Sequence, residues 1–170
     1  LADIGPGVRV FETGIGSGAL SMTMLRYGAD IVGYEIREDF ANRARKNVES
    51  FLGSAALDRY EVHIADSYDG IDPALGMFDR VVLDLPEPWS VVPNAEAVLQ
   101  PGGLLVAYTP SITQAVQVRE ALKGKWIDAR TIEVLHRGWH IEGQAVRPDH
   151  RMVAHTAFLS VARFLGRNPA

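Results

Sequence analysis

Between residues 8 and 25 the chain reads VRVFETGIGSGALSMTML, and this stretch restricts the possible folds more than any other. Val8, Val10 and Phe11 form a short β-prone run, Gly14, Gly16 and Gly18 alternate with other residues, and Ala19, Leu20, Met22, Met24 and Leu25 open a helix-forming segment. The order is strand, glycine turn, helix. Glycine at every second position permits a positive-φ turn and removes the Cβ atoms that would hold a ligand away from the backbone. Ser17 stands where the helix begins, so the pattern predicts that its hydroxyl caps the helix and that the free N–H groups face a polar ligand. A tight turn without a ligand would use the same glycines. Glu35 adds a second constraint: it closes the next apolar run, Ile31, Val32 and Tyr34, about twenty residues downstream, where a ribose-binding acid stands in a dinucleotide fold.

The 170 residues, 47% of them hydrophobic and 22% charged, suit one globular domain with one core. Absence of cysteine excludes disulfides, thiolate metal sites and cysteine nucleophiles. No apolar run approaches the ~18 residues of a membrane span, and the start lacks the pattern of a signal peptide, so the cytoplasm is the expected location. Asp3, Gly5, Pro6 and Gly7 lead straight into the first strand, which predicts that natural sequence precedes it. The net charge of −4 is unevenly spread: residues 1–100 carry 16 acids and 8 bases, residues 101–170 carry 5 acids and 9 bases. A basic C-terminal face can meet phosphate, although solvated surface charge would give the same count.

Taken in order, the pattern predicts strands at 8–12, 30–35, 60–65, 80–85 and 104–109, with helices at 17–27, 37–51, 91–99 and 112–123. Phe40, Ala44, Val48 and Phe51 mark the apolar face of the second helix, and Pro101-Gly102-Gly103 stop the third. Two further strands, 129–136 and 156–164, predict an antiparallel hairpin at one edge of a mostly parallel sheet with helices on both faces. Ligands of such a sheet collect beyond the carboxyl ends of the strands, and Glu12, Glu35, Asp66 and Asp84 stand at four of them.

Two cofactors fit a glycine turn followed by a second-strand acid. Gly14, Gly16 and Ala19 satisfy the relaxed nicotinamide-dinucleotide fingerprint, while Asp66-Ser67 and the turn Asp84-Leu85-Pro86-Glu87-Pro88-Trp89 suit the adenine and methyl group of S-adenosylmethionine. Beyond these, Tyr34-Glu35 with Arg37, Gln100-Pro101-Gly102-Gly103, Arg137-Gly138-Trp139 and the run from Arg147-Pro148 through His155-Thr156-Ala157-Phe158-Leu159 complete a pattern. With the Glu12 to Leu20 turn, it resembles the TrmI-type tRNA adenine-N1 methyltransferases, which act on adenine 58 of the T-loop, over nearly the whole chain.

The resemblance implies a Rossmann-like class I methyltransferase fold, with residues 1–170 as an S-adenosylmethionine-dependent catalytic domain that lacks the family's N-terminal β domain. It assigns the cofactor's turn to Gly14, Gly16, Ser17, Gly18, Ala19 and Leu20, its ribose to Glu35, and the surroundings of its adenine to Phe40, Asp66 and Ser67. Asp84 would stand at both the methyl donor and the target base, as the catalytic residue. Phe40 departs from the polar residues that also occur there, and Val153-Ala154 departs from a glycine-containing pair. A homotetramer and a tRNA substrate are implied; the residues themselves predict no membrane span and, because His136, His140, His150 and His155 are not spaced like a metal site with carboxylate support, no metal. Trp89, Tyr108 and Trp139 are candidate stacking partners for a base, with Tyr108 expected in the core. Arg137, Arg147, Arg151 and His155 are the expected tRNA contacts. A nicotinamide-dependent oxidoreductase and a non-catalytic tRNA-binding subunit are the alternatives.

Overall fold

The computed structural model describes residues 1–152 and 154–166, so the expectation attached to Val153 lies outside the described residues. The chain runs β1 (Arg9–Thr13), α1 (Ala19–Arg26), β2 (Asp30–Glu35), α2 (Glu38–Leu52), β3 (Tyr60–Ile64), β4 (Phe78–Leu83) and α3 (Pro88–Val98). It continues with β5 (Leu99–Thr109), α4 (Ile112–Ala121), β6 (Trp126–Glu133), β7 (Trp139–Glu142), β8 (Ala145–Pro148) and β9 (Phe158–Phe164). Seven strands form one sheet in the order β3-β2-β1-β4-β5-β9-β6. Pairing is parallel from β3 to β5, and β9 runs antiparallel to both β5 and β6. The expected edge hairpin is therefore present, with its later strand on the inside. Strand order reverses between β1 and β4, which places the ligand crevice above their carboxyl ends.

Successive side chains of a strand point to opposite faces, and here both faces are covered. Val10, Ile31 and Val62 pack with Met24 and Leu25 of α1 and Ala41, Ala44 and Val48 of α2. Phe11, Val81, Leu83 and Leu105 pack with Val91, Val92 and Ala95 of α3 and Val118 of α4. The buried stripe of α2 is thus Ala41, Ala44 and Val48 rather than one that includes both phenylalanines; Phe51 is 66% exposed. Proximity to the glycine turn explains the difference. A Cβ placed on Gly18 would lie 3.2 Å from the Ala44 Cα, so this face of α2 admits only small residues. Phe40 turns outward, and the Arg37 guanidinium lies 4.1 Å from its ring centroid.

Pro101-Gly102-Gly103 also behave differently from expectation. They lie inside β5, which begins at Leu99, and the β4–β5 register shifts between Phe78↔Leu99 and Arg80↔Leu104. The breakers form a bulge in the strand instead of a gap before it. β7 and β8 make a separate two-stranded sheet that the sequence pattern did not reveal. Its register puts Trp139, Ile141, Val146 and Pro148 on one side and His140, Glu142, Ala145 and Arg147 on the other. No helix among the described residues is long and apolar enough to cross a membrane.

Candidate active site

Three loops meet above the strand-order reversal. The first follows β1, where Gly14, Gly16 and Gly18 have φ of 84°, 55° and 79°. At Gly14 the need for glycine is steric as well, because a Cβ there would stand 1.8 Å from the backbone oxygen of Asp84. Gly18 is the residue before α1, and no side chain caps the helix. Ser17 is exposed and contributes its carbonyl, which accepts from Asn47 Nδ2 at 2.9 Å. The expected serine cap is therefore absent: the left-handed turn of Gly18 enters the helix in its place.

Glu35 ends β2 with 8% of its surface exposed. Its Oε2 accepts from the Gly16 N–H and its Oε1 from the Arg37 N–H, both at 3.0 Å. The carboxylate is thus locked against the turn, with lone pairs left for hydroxyl donors. After β3, Asp66 Oδ1 accepts from the Tyr68 N–H at 2.9 Å. The buried Ser67 hydroxyl is already engaged with Thr13 Oγ1 at 2.9 Å. Glu35, Asp66, Ser67, Tyr68 and Asp84 contribute to the walls of a cavity of about 170 Å³. Phe40 does not line it.

Asp84 follows β4, and its backbone N–H is fixed by the Thr13 carbonyl at 3.0 Å. Its carboxylate accepts no hydrogen bond from any described side chain, and burial pushes its pKa upward. It also lines a second cavity, about 630 Å³, that opens between Leu20 and Met24 of α1 and the ends of β4, β5 and β9. Asp84 is the acid shared by both cavities. Tyr108 lines the second one and is 41% exposed, so it is a cleft residue and not the core aromatic expected. Trp89 packs partly buried against the core. A further cavity of about 690 Å³, between Met22, Arg26, Tyr27 and Phe51, contains none of the strand-end acids and is an outer groove of α1 and α2.

The fourth acid lies beneath the cleft. Glu12 is inside β1 and 1% exposed, and its Oε2 accepts from Ser21 Oγ at 2.6 Å. Ser21 Oγ in turn accepts from Tyr60 OH at 3.0 Å. Burial, opposed by the Ser21 bond and helped by the charge of Asp84, pushes the Glu12 carboxyl up to about 7. Tyr60 is raised for the same leading reason, burial. Thr13, Ser21, Tyr60 and Tyr68 were missed by sequence reasoning. Tyr68 follows Asp66-Ser67 directly and Thr13 lies within the turn, so adjacency to a motif was the available signal. Nothing in the linear sequence pairs Ser21 with Tyr60. Arg137, Arg147, Arg151 and His155 are all exposed, on and around the β7–β8 hairpin. Among the described residues no cluster of three or more His, Asp or Glu side chains could hold a metal.

An antiparallel strand inserted before the edge, a glycine turn and acids after the second and fourth strands define a Rossmann-like methyltransferase domain. Solved structures share that architecture: an S-adenosylmethionine-dependent O-methyltransferase from Thermotoga maritima superimposes with a TM-score of 0.85, 28% identity and 99% coverage of this chain against 63% of its own. The tRNA (m1A58) methyltransferase TrmI of Aquifex aeolicus gives 0.83, 28%, 98% and 66%. The family model described as tRNA methyltransferase complex GCD14 subunit matches residues 2–157, and the chain belongs to that family. A relative in Methanocaldococcus jannaschii, tRNA (adenine(57)-N(1)/adenine(58)-N(1))-methyltransferase TrmI, is 35% identical over 95% of this chain. The chain spans 66% of that relative's length. Family membership removes the nicotinamide-dependent reading.

Proposed function

We propose that this protein transfers a methyl group from S-adenosylmethionine to N1 of an adenine in the tRNA T-loop, at position 58. The observation that carries the reading is the Asp84 carboxylate, left without a side-chain partner at the junction of the two cavities. The cradle fits the cofactor chemically: Glu35 is oriented to accept from ribose hydroxyls, Asp66 stands beside the smaller cavity, and Gly14 leaves the turn flat against Asp84. S-Adenosylmethionine, when bound, supplies an activated methyl group. Adenine N1 carries a free lone pair, so no base has to remove a proton before it attacks the methyl carbon. Transfer of that methyl group to N1 would leave positive charge on the adenine ring. Asp84 accepts from the exocyclic amine and stabilises that charge. Tyr108 offers a ring beside Asp84 on which the extruded base can stack.

The exposed arginines at 137, 147 and 151 supply phosphate contacts. Assembly as a homotetramer in the cytoplasm is part of this reading, supported by the apolar side of the β7–β8 hairpin, where Ile141 is 74% exposed. An intact Glu35 and Asp84 support a catalytic chain over a non-catalytic subunit. The test is incubation of the purified protein with unmodified tRNA and methyl-labelled S-adenosylmethionine, followed by nucleoside identification. Label in 1-methyladenosine is the expected result. Asp84→Asn, which keeps the shape and loses the charge, should lower single-turnover methylation at saturating cofactor by about 10²–10³-fold while tRNA affinity holds. Wild-type turnover in that variant would remove Asp84 from catalysis.

A further inference from the structure

The two loops that wall the smaller cavity rise from strands three places apart in the sheet, roughly 14 Å at the usual strand spacing. They are nevertheless tied together. Asn94, on α3, donates through Nδ2 to the carbonyls of Ser67 at 2.8 Å and Tyr68 at 3.2 Å. The Tyr68 hydroxyl accepts from the Glu87 N–H at 2.9 Å. Gln114 of α4 holds the second loop from the other side, donating to the Pro86 carbonyl at 3.0 Å. The loop after β3 is thus clamped to the loop and helix after β4, across the ends of β2 and β1.

We propose that Asn94 and Tyr68 are positioning residues that hold these two loops in register and so preform the cofactor cavity beside Asp84. The proposal rests on the reading that this cavity takes the adenosyl part of S-adenosylmethionine. An amide carries two hydrogens and can satisfy both carbonyls with one group; a carboxylate of the same shape can satisfy neither. Without the clamp each loop has to be ordered at the moment of binding, and that ordering weakens affinity even when every ligand contact survives. Neither residue acts on the transferred methyl group.

The experiment measures calorimetric affinity for S-adenosylhomocysteine, together with the ligand-free melting temperature, in the wild-type protein, Asn94→Asp, Asn94→His and Tyr68→Phe. Tyr68→Phe should bind roughly tenfold more weakly, the scale of one lost hydrogen bond, and Asn94→Asp, which loses two, at least as weakly. Their ligand-free melting temperatures should fall by only a few degrees, and a purely structural role would show that fall with the affinity of the folded variants unchanged. Asn94→His keeps one donor and should recover part of the affinity. If Asn94→Asp does not fold, Asn94→His, at a residue that does not line the cavity, decides the matter. Wild-type affinity in the folded variants would overturn the proposal. A wild-type protein that bound no S-adenosylhomocysteine would instead overturn the functional reading, and this one with it.

Discussion

Glu12 offers the sharpest test of the physical argument. Its carboxyl is pushed from 4.5 to about 7, chiefly by burial inside β1. Below pH 4.5 the folded and unfolded chains both hold the proton, and the contribution to stability is fully present. Between 4.5 and about 7 the folded chain keeps a proton that the unfolded chain releases, so stability falls as pH rises and levels off once the buried group ionises. The interval corresponds to about 3 kcal/mol. Glu12→Gln removes the titration and keeps an oxygen for Ser21. Urea unfolding of both proteins from pH 4.5 to pH 8 should show the variant gaining on wild type by an amount of that order across the window, because other titrating groups are common to the two. Parallel stability curves would refute the assignment and place the Glu12 proton elsewhere.

Glu35→Ala should weaken S-adenosylhomocysteine binding by at least about tenfold, since the carboxylate would bond ribose hydroxyls worth about 1.5–3 kcal/mol; unchanged calorimetric affinity would remove Glu35 from the site. Replacing Arg147 and Arg151 together with glutamine should lower tRNA affinity and flatten its dependence on salt by roughly two charges' worth of slope. If both quantities stayed at wild-type values, the basic hairpin would be solvated surface only.

The glycine turn, Glu35 and the alternation of strands with helices were legible because each follows from local chemistry: positive φ, a fixed spacing, a two-residue or helical period. Tyr108 was not legible. Its apolar neighbours Val106 and Ala107 read as core, and only the end of β5 at the cleft makes it a surface residue. Phe40 and Phe51 misled for the opposite reason, since helical spacing cannot show that the facing element is a backbone turn with room only for alanine. Glu12 stood in line with three cleft acids in the sequence. One position within β1 separates a group that meets ligand from one sealed under the sheet end. The β7–β8 hairpin escaped notice because its alternation spans only four residues per strand, interrupted by histidine and arginine.

The position of β9 has a consequence for biosynthesis. Among the described residues β6 pairs with β9 alone, and β9 is the last of this sheet's seven strands to be synthesised. Until residues 158–164 have emerged, β6 has no strand partner and β5 presents an open edge, the kind of template on which nascent chains associate wrongly. The parallel part of the sheet can assemble during synthesis, whereas its far side must wait and close in one step as β9 enters between two waiting strands. Loop closure over the intervening hairpin makes that step slow relative to local helix formation. Substitutions in β9 therefore bear first on the yield of folded chain in the cell, ahead of any effect on the finished cleft.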